Sequence, residues 1–146
     1  MTISISKIPP CIPIFGDKKY RNKKCPKETP EQVTFVNWVR SSYPSDYGKL
    51  LVHPRNEGLK SEGQFSSIAR DKAMGHLTKG AADIIIPAKI PFVCEIKRAD
   101  MTLSKIDQDQ IYYLLIAQRL GAFSCIALGH VGAIEGFNEW LKLNNA

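Results

Sequence analysis

Gly80-Ala81-Ala82-Asp83-Ile84-Ile85-Ile86-Pro87, followed by Phe92-Val93-Cys94-Glu95-Ile96-Lys97, is the stretch that decides the fold. Both runs are rich in β-branched and aromatic residues, and residues 88–91, which include Pro91, connect them. They predict two strands of a hairpin, over 82–87 and 92–97. Glu95 and Lys97 are two apart and share a face. A hairpin centred near Lys89 sets Asp83 opposite Glu95, with Cα atoms ~4.5–5.5 Å apart. Two carboxylates that close repel, and burial worsens the repulsion. A shared proton, a neighbouring cation or a bound metal relieves it. Lys97 supplies one positive charge. Asp83, Glu95, the Ile96 backbone carbonyl and waters would together suit Mg²⁺ or Mn²⁺. The same residues also read as an Asp–Lys–Glu ion-pair cluster on an exposed sheet face, and the hairpin alone leaves both readings open.

After the hairpin, a helix is expected from about Leu103 to Leu120, stopped by Gly121. Its apolar stripe runs Leu103, Ile106, Tyr113 or Leu114, Ala117 and Leu120. Gln110 falls on that stripe, where an inward amide needs partners. It either holds a water beside the carboxylates or bonds to backbone. Before the hairpin, a helix is expected from Thr29 to about Ser42. Thr29 reads as N-cap, Pro30 as the first helical residue and Gln32 as the capping-box partner. Glu31 favours the helix dipole there, and is also the better metal ligand of the Glu31–Gln32 pair. Lys49 to His53 is a short strand candidate. Residues 54–79 are long for a loop and Ser67 to Met74 could form helical turns. Phe123 to Leu128 reads as a strand and 132–142 as a final helix. The order α-β-β-β-α-β-α is an α/β sandwich of a mixed sheet and helices.

The chain has 146 residues with 44% apolar, 23% charged and 9% aromatic side chains, in keeping with one globular core. No apolar run approaches the ~20 residues of a membrane span. The proline-bearing start, Met1 to Gly16, does not read as a secretory signal. Cys11, Cys25, Cys94 and Cys125 form no C-x-x-C pair, and His53, His76 and His130 are scattered, so spacing gives zinc no support. Cys94 and Cys125 read as core residues in a reducing cytosol.

The net charge is +6. Residues 17–27 carry Lys18, Lys19, Arg21, Lys23, Lys24 and Lys27 against Asp17, a net of +5 that leaves only +1 for the rest. Residues 1–28 therefore read as an irregular basic extension to a domain at 29–146. Such an arm suits phosphate contact, with Tyr20 able to stack, or is simply a solvated tail.

Several ordered pieces together resemble the PD-(D/E)XK nuclease superfamily, and within it the virus-type replication-repair nuclease (VRR-NUC) family in its small stand-alone form from phages and prophages. They are His53-Pro54-Arg55-Asn56-Glu57-Gly58, Ala69-Arg70-Asp71-Lys72-Ala73-Met74-Gly75, Gly80-Ala81-Ala82-Asp83, Glu95-Ile96-Lys97, Gln110, Tyr113-Leu114 and Gly121. The match spans roughly residues 29 to 142. It departs at Ala82, where the family usually has proline, and residues 1–28 have no counterpart.

The resemblance implies a PD-(D/E)XK core and a metal-dependent endonuclease acting on DNA phosphodiesters. Asp83 and Glu95 would be metal ligands, Lys97 would orient or activate water, and Gln110 would be the helix-borne active-site glutamine. Glu31 would be the acid of the first helix. Arg55, Arg70, Lys72 and Lys79 flank the site in sequence and would grip phosphates or be ordinary surface charge. Relatives of this kind imply a branched substrate such as a Holliday junction, cut by a homodimer in the host cytoplasm. Two other readings stay open: a catalytically inactive DNA-binding protein of nuclease fold, and a sequence-specific restriction-type endonuclease.

Overall fold

The hairpin forms where the two apolar, β-branched runs placed it. The computed structural model describes residues 1–54 and 78–145. Strands β3 (Ile84–Ile86) and β4 (Phe92–Lys97) are antiparallel, with Ile84 opposite Cys94 and Ile86 opposite Phe92. All six residues of β4 are buried. That follows from its central place in a sheet covered on both faces. The sheet runs β2 (Ile14–Phe15), β6 (Phe123–Leu128), β4, β3, and β2, β6 and β4 are mutually parallel. The mixed sheet between helices is the architecture expected of a PD-(D/E)XK core.

One face packs α1 (Glu28–Ser42) and α4 (Gly129–Asn144) through Phe35, Val39, Phe137 and Trp140, all fully buried. The other face packs α3 (Gln108–Arg119) through Ile111 and Leu114, and buries Ile5, Ile8 and Ile12 of the N-terminal segment. Each large apolar side chain so buried contributes ~1.5–3 kcal/mol. No helix among the described residues is long and apolar enough to cross a membrane. Cys94 and Cys125 are buried and paired in register across β4 and β6.

Several expectations need correction. The N-terminal segment, expected to be irregular, supplies β1 (Thr2–Ser4), which pairs with β5 (Lys105–Asp107), and the edge strand β2. Residues 105–107 are therefore extended rather than helical. Asp107 then starts α3 with a capping box, its carboxylate accepting from the Asp109 amide and Gln110 returning to its own N–H. Leu120, expected on the buried stripe, is 78% exposed. The helix end is as read: Gly121 takes φ +105°, its N–H reaches Gln118, and the Ala122 N–H reaches Ala117.

Helix α1 begins at Glu28, with Lys27 as N-cap and no side-chain cap, so neither Thr29 nor Gln32 has the capping role expected. Lys49–His53 is not a strand. Asp46 starts the short helix α2 (Tyr47–Leu50), and among the described residues Val52 makes a single isolated bridge, to Ile85. The final helix runs from Gly129, three residues earlier than expected. The Ser67–Met74 turns lie outside the described residues.

Candidate active site

Strand pairing delivers the acids. The β3–β4 register carried one step back sets Asp83 opposite Glu95. Here the ladder changes character. The Asp83 carbonyl faces the His53 ring, with Nδ1 at 2.7 Å, and the Asp83 carboxylate takes over the neighbouring strand's donor, accepting the Ile96 N–H at 2.8 Å. A buried N–H must find an acceptor, and this one holds Asp83 in place. Asp83, Glu95 and Lys97 are 8%, 1% and 3% exposed, so the cluster is interior and not the exposed ion-pair face that the hairpin alone left open.

Helix α3 closes the group. Gln110 Nε2 donates to Glu95 Oε1 at 2.8 Å. Its Oε1 accepts the Asp107 amide at 2.9 Å and the Lys97 ammonium at 3.4 Å. These partners leave one sensible amide orientation: oxygen toward the donors, nitrogen toward the carboxylate. Lys97 Nζ lies 3.8 Å from Glu95 Oε1 and 3.7 Å from Glu28 Oε1. Ser104 donates to the other Glu28 oxygen at 3.0 Å and accepts the Arg98 amide.

Two glutamates thus flank one ammonium, and a third carboxyl, Asp83, stands across from Glu95. Burial pushes the Asp83 carboxyl up to about 6, against the contacts with Glu95 and the Ile96 amide that lower it. Glu95 is pushed well above the usual carboxylate range, by burial first and by the Asp83 charge second, with Lys97 opposing. Among the described residues no N–H or O–H donor reaches the buried Glu95 Oε2, and the Asp83 and Glu95 carboxyls lie in contact. Two buried acids in contact, one with an oxygen that no donor reaches, call for a shared proton or a bound cation. The donor set fits a hard cation of the Mg²⁺ class, which takes one or two carboxylates and completes its shell with water and substrate oxygens. Among the described residues no group of three histidine, cysteine or acidic side chains encloses an ion by itself.

The expected residues divide three ways. Asp83, Glu95, Lys97 and Gln110 meet. Glu31 does not join them: its carboxylate accepts the His130 amide at 2.6 Å at the start of α4 and contacts the His130 ring at 3.2 Å. Gly129 makes room for it, at φ +69°, where an added Cβ would overlap Glu31 Oε2. The helix acid that reaches Lys97 is Glu28, one turn earlier. A helix begun at Thr29 leaves Glu28 out of view; two acids at i and i+3 in a first turn are the signal in the sequence that points to it. Lys79 pairs with Asp109 at 3.1 Å beside the start of α3. Lys18, Lys19, Lys23 and Lys24 are exposed on the N-terminal arm, and Arg21 donates to the Lys18 and Tyr20 carbonyls. Arg55, Arg70 and Lys72 lie outside the described residues.

A mixed sheet whose hairpin presents Asp, Glu and Lys inward, met by a glutamine from the next helix, is a PD-(D/E)XK-like α/β fold. Within that class the chain has the fold of a solved "VRR_NUC domain protein", at a TM-score of 0.66 and 20% identity, over 83% of this chain and 93% of that one. That agrees with the resemblance read from the sequence. No family model and no curated protein matches the chain.

Proposed function

We propose that the protein is a metal-dependent endonuclease that hydrolyses DNA phosphodiesters, with branched DNA such as a four-way junction as its preferred substrate. The observation that carries this reading is the buried Asp83–Glu95 pair, with a Glu95 oxygen that no donor among the described residues reaches, flanked by Lys97 and Gln110. Asp83 and Glu95, with the Ile96 carbonyl, would hold Mg²⁺ or Mn²⁺. When bound, such an ion polarises the phosphoryl oxygen and acidifies a coordinated water.

The chain's own residues do the rest. Lys97 is held between Gln110 and two glutamates, so its ammonium is fixed before substrate arrives and stabilises charge as it develops on the phosphoryl oxygens. Gln110 fixes Glu95 and leaves the second Glu95 oxygen free for the ion or for the attacking water. In hydrolysis the water oxygen bonds to phosphorus, one ester P–O bond breaks, and the leaving oxygen gains a proton. Lys79 and the basic arm would supply sequence-independent phosphate contacts. Two like cuts across a symmetric junction fit a C₂ homodimer. A reducing cytoplasm, in a phage-infected or lysogenic host, fits the thiols.

The test is cleavage of a plasmid, a linear duplex and a four-way junction with Mg²⁺ or Mn²⁺, beside Asp83→Ala. Metal-dependent cutting that prefers the junction and is lost in the variant supports the proposal. Binding without cutting under either metal identifies an inactive DNA-binding protein instead. Cutting at one sequence in linear duplex identifies a restriction-type enzyme.

A further inference from the structure

A cavity of about 360 Å³ lies outside the acid cluster, at the carboxyl ends of three parallel strands. Gly16 follows β2, Leu128 ends β6, and Ala99 follows β4; each lines it. In open α/β sheets such ends are where ligands bind. The cavity adjoins the acid cluster. Leu128 is the register partner of Lys97, one strand spacing (~4.8 Å) away. Glu31 on its wall is one helical turn from Glu28.

The basic arm forms its rim as a built loop, not a loose tail. Asp17 accepts the Lys19 amide through its side chain and the Tyr20 amide through its carbonyl. Asn22 donates its amide to Asp100 at 2.9 Å. Arg98, the residue after Lys97, donates to the Cys25 and Pro26 carbonyls. The strand that carries Lys97 thereby clasps the segment that carries the lysines.

Tyr20 lines the cavity at 39% exposure, and Asn22 donates to its hydroxyl at 3.0 Å. The rest of the lining includes the apolar Pro26 and Val131 and the acids Asp17 and Glu31, and His130 supplies a ring whose Nδ1 is held by Glu31. A half-exposed aromatic ring over a partly apolar slot, on a segment that also carries the exposed Lys18, Lys19, Lys23 and Lys24, matches one ligand chemistry: a flat heteroaromatic group attached to a phosphate chain. The volume sits near the lower end of the ~300–1,000 Å³ range of small-molecule sites, so it takes one such group.

We propose that this cavity receives an unpaired nucleobase of a DNA strand, stacked on Tyr20, next to the phosphate presented to Asp83 and Glu95. The proposal rests on the nuclease reading and narrows its substrate to DNA with an unstacked nucleotide at the cut. A base in a continuous duplex is stacked on both sides and cannot reach the ring, whereas one at a branch or bulge is already released.

The experiment uses the full chain with EDTA present, so that no cutting intervenes. Anisotropy compares a paired duplex with the same duplex carrying one unpaired 5-iodo-deoxyuridine, which is then photocrosslinked and mapped. The expected result is an about tenfold preference for the unpaired base, lost in Tyr20→Ala and kept in Tyr20→Phe. The adduct should map to Tyr20. Equal affinity for both DNAs, or an adduct elsewhere, overturns the cavity proposal and leaves the nuclease reading standing. Failure to bind any DNA, both in EDTA and with Ca²⁺ in its place, overturns both.

Discussion

Gln110 joins the start of helix α3 to Glu95. One side chain closes the capping box on the Asp107 amide at 2.9 Å and donates to the Glu95 carboxylate at 2.8 Å. The helix start and the candidate site are therefore set by the same side-chain amide. Gln110→Ala should lower stability by ~1 kcal/mol through loss of the cap. It should lower DNA cleavage far more, by about 10²-fold, because Lys97 and Glu95 lose their common partner. Thermal melts beside single-turnover cleavage separate the two effects; equal small losses would reduce Gln110 to a cap.

Glu95→Gln removes metal-binding charge but little shape. Cleavage should fall below detection with junction binding retained. The metal-free variant should melt higher than wild type at neutral pH, because a buried acid that resists ionisation is replaced by a neutral amide. A lower melting temperature would mean that the Glu95 charge is matched by Lys97 in the folded state, leaving no room for an ion.

The Asp83 carboxyl stands at about 6 in the folded protein against an ordinary 3.8. The folded state thus binds more protons than the unfolded one between these values, and stability falls as pH rises through that window. In EDTA the melting temperature should drop from pH 4 to pH 6 by more in wild type than in Asp83→Asn. Added Mg²⁺ or Mn²⁺ competes with those protons, so its stabilising shift should grow as pH passes about 6. A metal shift independent of pH would place the ion away from Asp83.

Glu31 bonds the first amide region of α4 and leaves the acid cluster to Glu28. Glu31→Ala should cost ~1–2 kcal/mol, the worth of a charged cap at a helix start. It should leave the metal-induced melting shift unchanged. Glu28→Ala should do the reverse, altering the metal response and cleavage at little cost in stability. Exchange of these two phenotypes would restore Glu31 to the site.

Charge on the arm is testable without removing it. Deleting residues 1–28 would strip β1 and β2 from their sheets, so the informative variant replaces Lys18, Lys19, Lys23 and Lys24 with Gln. If each lysine neutralises a phosphate, the log–log salt slope of DNA affinity should flatten by ~0.9 for every lysine replaced. An unchanged slope would place the DNA elsewhere.

Local pattern determined the parts of this protein that depend on near neighbours. The β-branched and aromatic runs at 82–87 and 92–97 marked the hairpin, the spacing of two gave Glu95 and Lys97 a shared face, and a centre near Lys89 gave the register that the strands adopt. A polar residue at position 110 pointed to a buried task, and Gly121 marked the helix end by its backbone freedom. Tertiary structure decided what distant segments do to one another. Residues 105–107 became a strand because Thr2–Ser4 pairs with them, and no local signal around Ile106 contains that partner. Glu28 and Glu31 lie on the same turn with nearly equal local preference. Which of them faces Lys97 and which meets α4 follows only from where α1 docks on the sheet, because side-chain roles at a helix start are set by what stands opposite and not by the helix itself.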